Sequence, residues 1–173
     1  MIKKYDEYYF QKIDNVGIMY ASITTYKNPN TYRISVKLKE KISEAELKEA
    51  VIKTLEIIPA FNVKLKRGLF WYYLEKNNLE PVVEQDNTYP CVRIDTYKNN
   101  NFLFKITYFE KRINIDVSHI LSDGTGAINF LETLIKNYLT IKKEINGQKE
   151  TFAEMLSKNE MSSDSFKRYC EFI

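Results

Sequence analysis

Arg112-Ile113-Asn114-Ile115-Asp116-Val117-Ser118-His119-Ile120-Leu121-Ser122-Asp123-Gly124-Thr125-Gly126-Ala127 carries the chain from a strand into a helix through a polar, glycine-containing turn. Residues 112–117 read as the second arm of a hairpin whose first arm is Phe102 to Phe109, with the turn at Glu110-Lys111. Ser118 to Gly126 breaks that strand. Ala127, Phe130, Leu131, Leu134, Ile135 and Tyr138 then recur at three- and four-residue spacing, the period of a helix with one apolar face.

Working outward, strands and helices interleave without an internal repeat. Gly17 to Tyr26 and Thr31 to Lys39 are rich in β-branched and aromatic residues and read as two strands separated by the turn Lys27 to Asn30. In the second, Tyr32, Ile34, Val36 and Leu38 alternate with Arg33, Ser35, Lys37 and Lys39, which predicts one wet face. Ser43-Glu44-Ala45-Glu46 has the pattern of a capping box, and Leu47, Ala50, Val51, Thr54, Leu55 and Ile58 form the stripe of the helix it opens; Pro59 ends that helix. Phe61 to Leu65, a turn at Arg67-Gly68, and Leu69 to Leu74 predict a second hairpin. Its aromatic cluster, Phe70, Trp71, Tyr72 and Tyr73, is expected to serve core and lobe surface. Glu80 to Tyr89 reads as a polar connector around a short extended piece, and the composition turns polar from Ile141 onward.

With 173 residues, 44% hydrophobic and 28% charged, the chain has the size and composition of one domain. The net charge of +3, drawn mostly from Lys interleaved with Glu, is a weak signal for a phosphate-backbone binder and reads as solvated surface, and no nucleic-acid partner is expected. Cys91 and Cys170 lie far apart, show no metal-ligand spacing and predict no metal site. Met1 to Glu7 regains charge where a signal peptide needs an apolar run, and no stretch approaches a membrane span, so a cytoplasmic location is expected.

His119 is the only histidine. It stands at a strand end where the backbone turns into a helix, with Asp123 four residues later and Gly124 next. A neutral imidazole accepts a proton near pH 7, a neighbouring carboxylate can fix its orientation, and the glycines let a ligand or a strand approach closely. The same residues also fit a structural role, with His119 a hydrogen-bonded strand-end residue and Asp123 an N-cap. Spacing alone leaves both open.

His119-Ile120-Leu121-Ser122-Asp123-Gly124 resembles the HxxxDG motif of the chloramphenicol acetyltransferase-like superfamily, and Val117 to Gly126 is similar to the version in condensation domains and bacterial alcohol acetyltransferases. Pro59-Ala60-Phe61 with Leu65-Lys66-Arg67-Gly68-Leu69-Phe70-Trp71-Tyr72-Tyr73-Leu74 resembles the alcohol acetyltransferase branch. The resemblance runs from Tyr20 to Tyr138. It implies an α/β fold of the α+β sandwich type: a mixed, largely antiparallel sheet with helices packed on it, as a chloramphenicol acetyltransferase-like single lobe. Residues 1–140 would form the N-terminal lobe and residues 141–173 a polar tail or crossover segment, with the second lobe absent.

The same resemblance implies an acyltransferase that moves an acyl group, acetyl by expectation, from acetyl-CoA or another pantetheine thioester to a small-molecule alcohol or amine. No permanently bound cofactor is implied. His119 would be the general base, Asp123 would hold the loop and imidazole through a salt bridge, and Gly124 would leave room for the pantetheine arm. Ser118 stands where condensation domains carry a further His. Leu55-Glu56-Ile57-Ile58-Pro59 offers no Arg for Asp123, which leaves Arg33, Arg93 or no partner. Since the family builds its site between two lobes, the isolated chain is expected to be inactive until a second lobe or a homo-oligomer partner completes it. The other reading is a non-catalytic binding module that retains the fold.

Overall fold

Alternation along Thr31–Leu38 builds a two-layer body, because one face of that strand is apolar and needs cover. A computed structural model describes residues 10–13, 15–25, 27–145 and 170–172. Their elements in chain order are β1 (Phe10–Lys12), α1 (Asn15–Ile23), β2 (Thr31–Leu38), α2 (Glu44–Ile57), a 3-10 turn (Pro59–Phe61), β3 (Val63–Arg67), β4 (Tyr72–Lys76), β5 (Val83–Gln85), β6 (Phe104–Phe109), β7 (Arg112–Ser118), α3 (Gly124–Ile145) and β8 (Cys170–Phe172). The charged stretch Met1 to Glu7 and the tail segment 146–169 lie outside the described residues.

The main sheet has the order β5-β6-β7-β2-β8. Its pairs are antiparallel except β5 with β6, so the sheet is mixed and largely antiparallel as expected. α2 and α3 cover one face. Val36, Leu38, Phe104, Ile106, Ile113, Ile115 and Val117 from the sheet meet Leu47, Ala50, Val51 and Leu55 from α2 and Ala127, Phe130, Leu131, Leu134, Ile135 and Tyr138 from α3 in one core. Every α3 position expected from the spacing is buried, and the helix continues through buried Ile141 to Ile145. Phe61, Phe104 and Phe130 stack together, with Phe61 and Phe130 ring centroids 4.4 Å apart.

A second, smaller sheet has the order β1-β4-β3. Val63 and Leu74 from it join Ile13, Leu103 and Ile120 in a separate cluster, against which Ile18, Tyr20 and Ala21 of α1 pack. Here the sequence reading needs correction, since Gly17 to Tyr26 is expected as a strand and residues 15–23 are helical. Packing decides it. Gly17, Tyr20, Ala21 and Thr24 turn inward at helical spacing while Val16, Met19, Ser22 and Ile23 face out. β-branched residues lose only a fraction of a kcal/mol each in a helix, less than the burial gained.

Two further expectations are revised. Ser43 is the N-cap of α2 but its side chain makes no capping bond, and the Ser43 N–H that the Glu46 side chain would reach is bonded instead to the Tyr138 hydroxyl at 3.0 Å. The face of β2 that reads as wet is largely covered. Ser35, Asn114, Asp116 and Thr107 are all buried, and Arg33 is only 10% exposed.

Candidate active site

The loop that leaves β7 is fixed from both cores. Ile120 belongs to the smaller cluster, and Leu121 packs against both clusters, so the turn between them straddles the seam of the lobe. Backbone bonds set its shape: His119 N–H donates to the Asn30 carbonyl at 2.9 Å and Leu121 N–H to the Ser118 carbonyl at 2.9 Å. Asn30 holds a φ of 47°, a left-handed conformation that Asn tolerates better than most residues.

Two tyrosines that the sequence reading did not single out hold the imidazole. The Tyr20 ring from α1 stacks on His119 with centroids 4.9 Å apart and planes at 18°, and the Tyr32 ring from β2 lies at 4.6 Å and 41°. The Tyr32 hydroxyl donates to the Asp123 carbonyl oxygen at 2.5 Å and lies 3.1 Å from that of Ser122. Burial, and then the Asp123 carboxylate, push the Tyr32 phenol up to about 12, so it is a neutral donor at any physiological pH. His119 is half-buried. Neither ring nitrogen is hydrogen-bonded among the described residues, which leaves both available to a ligand.

The Asp123 carboxylate accepts the Gly126 N–H at 2.9 Å and so caps α3, the role the residue type favours at a helix start. Among the described residues Asp123 makes no ion pair. Arg33, which the sequence reading offers as its partner, is engaged elsewhere. The β2–β7 register sets Arg33 opposite Asp116. Its Nε and Nη2 bond both Asp116 carboxylate oxygens at 2.9 and 2.7 Å, and its Nη1 bonds Asp86 Oδ2 at 3.0 Å. Asn114 extends the network by donating to Asp86 Oδ2 at 3.0 Å while its own carbonyl accepts from Ser35 at 2.7 Å. Bidentate pairs of this kind have fixed geometry. This one pins β2 to β7 one residue from Tyr32 and three from His119.

Space around the loop is uneven. A Cβ added at Gly124 would meet nothing within 4 Å, whereas one at Gly126 would press on the Ser122 hydroxyl. Gly124 therefore faces open room beside the loop. A cleft of about 170 Å³ lies on the seam, lined by Thr31, Leu65, Arg93, Leu103, Ser118 and Ile120 among others. Ser118 and Ile120 bracket His119 in the chain, but His119 itself does not line the cleft. The arrangement holds the imidazole between two aromatic rings with neither nitrogen hydrogen-bonded among the described residues.

No family model matches the chain, and no curated protein matches it. Solved structures do. A point mutant of the starter condensation domain of the rhizomide synthetase RzmA superposes with a TM-score of 0.61 at 9% identity, over 92% of this chain and 44% of that one. The tallysomycin biosynthesis protein TlmII gives 0.57 at 10% identity, over 92% and 44%. Polyketide synthase associated protein 5 from Mycobacterium tuberculosis gives 0.53 at 13% identity, over 86% and 39%. The chain spans less than half the length of each of these structures. It is an α/β lobe with a mixed sheet and three helices among the described residues, in the chloramphenicol acetyltransferase-like fold that condensation domains share.

Proposed function

We propose that this chain is the N-terminal lobe of an acyltransferase, in which His119 removes a proton from an acceptor hydroxyl or amine as it attacks a thioester carbonyl and returns that proton to the pantetheine sulfur as the C–S bond breaks and the free thiol leaves. The observation that carries the reading is the state of His119. The sole histidine sits at the strand-to-helix junction of a condensation-domain fold, packed by two tyrosine rings and with both ring nitrogens unbonded among the described residues. A structural histidine in such a place is usually tied down by a hydrogen bond; a general base needs a free nitrogen within reach of its proton. Acetyl-CoA or another pantetheine thioester is the donor in this reading, and a small alcohol or amine the acceptor.

The lobe alone lacks an opposing wall in this account. His119 is partly exposed, so water has access, and an opposing wall is what would stabilise the oxyanion that forms on the thioester carbonyl oxygen. The wall is a second lobe or a further copy of the chain.

Asp123 favours a second reading, a binding module that keeps the fold without chemistry. Its carboxylate caps α3 and makes no ion pair among the described residues, a role that such a module needs equally. Acyl transfer from acetyl-CoA to a series of short alcohols and amines separates the two. The 173-residue chain by itself is expected to be slow or inactive, and to gain turnover when an opposing lobe is supplied. Absence of transfer in every reconstituted pair, with thioester binding unchanged by His119→Ala, supports the module.

A further inference from the structure

The hairpin β3–β4 ends in an apolar tip that the lobe does not use. The Gly68 N–H bonds the Trp71 carbonyl at 2.8 Å and closes a tight turn, with Arg67 paired to Tyr72 and Lys66 to Tyr73 behind it. The tip is therefore built, not loose. On it Leu69 is 91%, Phe70 83% and Trp71 63% exposed. Three consecutive large apolar side chains held in water are unusual, because burial is where such residues stabilise a protein.

Charge narrows what covers them. From Val63 to Leu74 the hairpin carries Lys64, Lys66 and Arg67 and no acidic residue. Lys64 is paired with Glu75 at 3.1 Å, whereas Lys66 and Arg67 are exposed and make no ion pair among the described residues. Arg67 lies over the Tyr72 ring, 5.8 Å from its centroid, at the base of the tip. Shape narrows it further. A convex tip of three side chains offers roughly 500 Å², below the ~800 Å² per partner of a stable protein interface. A wedge of aromatic and aliphatic groups with cations just behind it matches a bilayer surface, where Trp favours the headgroup layer and Lys or Arg meets anionic lipid.

We propose that the Leu69-Phe70-Trp71 tip inserts into the headgroup layer of an anionic membrane, with Lys66 and Arg67 against its phosphates. The site is separate from His119 and does not depend on the acyl-transfer reading. Trp71 is the only tryptophan, so its emission reports on the tip alone. The chain is mixed with vesicles of phosphatidylcholine containing phosphatidylserine, or of phosphatidylcholine alone, and followed by Trp71 emission and co-sedimentation. A blue shift and co-sedimentation with the anionic vesicles are expected, weakening as salt rises. Leu69→Ser/Phe70→Ser, which keeps the reporter, is expected to bind about tenfold more weakly or worse. Lys66→Gln and Arg67→Gln each cost about fivefold. All four positions are exposed, and an unchanged far-ultraviolet circular dichroism spectrum shows that these variants fold. An unshifted Trp71 emission on anionic vesicles overturns the proposal. So does equal binding to phosphatidylcholine alone, or equal binding by the double serine variant. A blue shift without lipid that grows with protein concentration overturns it in favour of a second copy.

Discussion

The Tyr32 ring rests 4.6 Å from the His119 imidazole while its hydroxyl donates to the Asp123 carbonyl at 2.5 Å, so one side chain from β2 grips both ends of the His119–Gly124 loop. Tyr32→Phe keeps the ring and loses the hydrogen bond, an expected cost of about 1 kcal/mol in stability. Tyr32→Ala loses both. In a complete assembly the phenylalanine variant should retain most of its transfer rate and the alanine variant should lose most of it. Parallel thermal unfolding and rate measurements check this; equal rates for the two variants contradict the grip.

The same hydroxyl makes an alkaline prediction. The Tyr32 pKa is raised in the folded state, to about 12 against an ordinary value near 10. The stability this contributes is fully present below the ordinary tyrosine value and is lost as pH climbs through the folded one. The difference in melting temperature between parent and Tyr32→Phe should therefore hold constant up to about pH 9 and narrow between about pH 10 and 12. A difference independent of pH across that window counts against the assigned surroundings.

Arg33 is the keystone of the network on the polar face of the main sheet, opposite the face that α2 and α3 cover. Its side chain is 10% exposed and its partners Asp116 and Asp86 are 5% and 8% exposed. Arg33→Met leaves the buried Asp116 carboxylate without its cation and Asp86 with only Arg112 at 3.6 Å, and breaking a buried pair in this way typically costs about 3–5 kcal/mol. Arg33→Lys restores the charge but not the two parallel bonds, and should recover only part of the loss. Denaturant titration of the three proteins reads this directly, and a loss under 1 kcal/mol for Arg33→Met is inconsistent with it.

Gly124 separates a structural from a functional glycine. A methyl group there meets no atom within 4 Å, so Gly124→Ala should leave stability unchanged or raise it by up to about 1 kcal/mol. If the open room receives the thioester arm, the same variant binds acetyl-CoA more weakly. Calorimetric titration beside thermal unfolding gives both numbers, and unaltered binding removes Gly124 from the ligand's path.

Much of this was legible because local signals and tertiary packing agree. The spacing from Ala127 to Tyr138 and from Leu47 to Leu55 names helical faces that are buried, and the alternation in β2 names its apolar face. Legibility failed where a partner distant in sequence decides the outcome. Gly17 to Tyr26 has strand-like composition, yet the small sheet takes Ile18, Tyr20 and Ala21 as a helical face. Arg33 reads as a solvated cation because Asp116, its cross-strand partner, is 83 residues away. Tyr20 and Tyr32 are invisible as parts of the site for the same reason, although Tyr32 occupies a position opposite Val117, two residues before His119. The His119 junction itself was readable from the break between two periodicities.

In the proposed function His119 performs proton transfer in an acyl-transfer site completed by an opposing lobe. The most direct measurement is the rate of acetyl transfer from acetyl-CoA to an alcohol by the completed assembly, parent against His119→Ala, with folding verified by circular dichroism. Loss of a general base predicts a fall of about 10²–10⁴-fold, or about 2.7–5.4 kcal/mol in the barrier. An alanine variant that turns over within a few-fold of the parent contradicts the account.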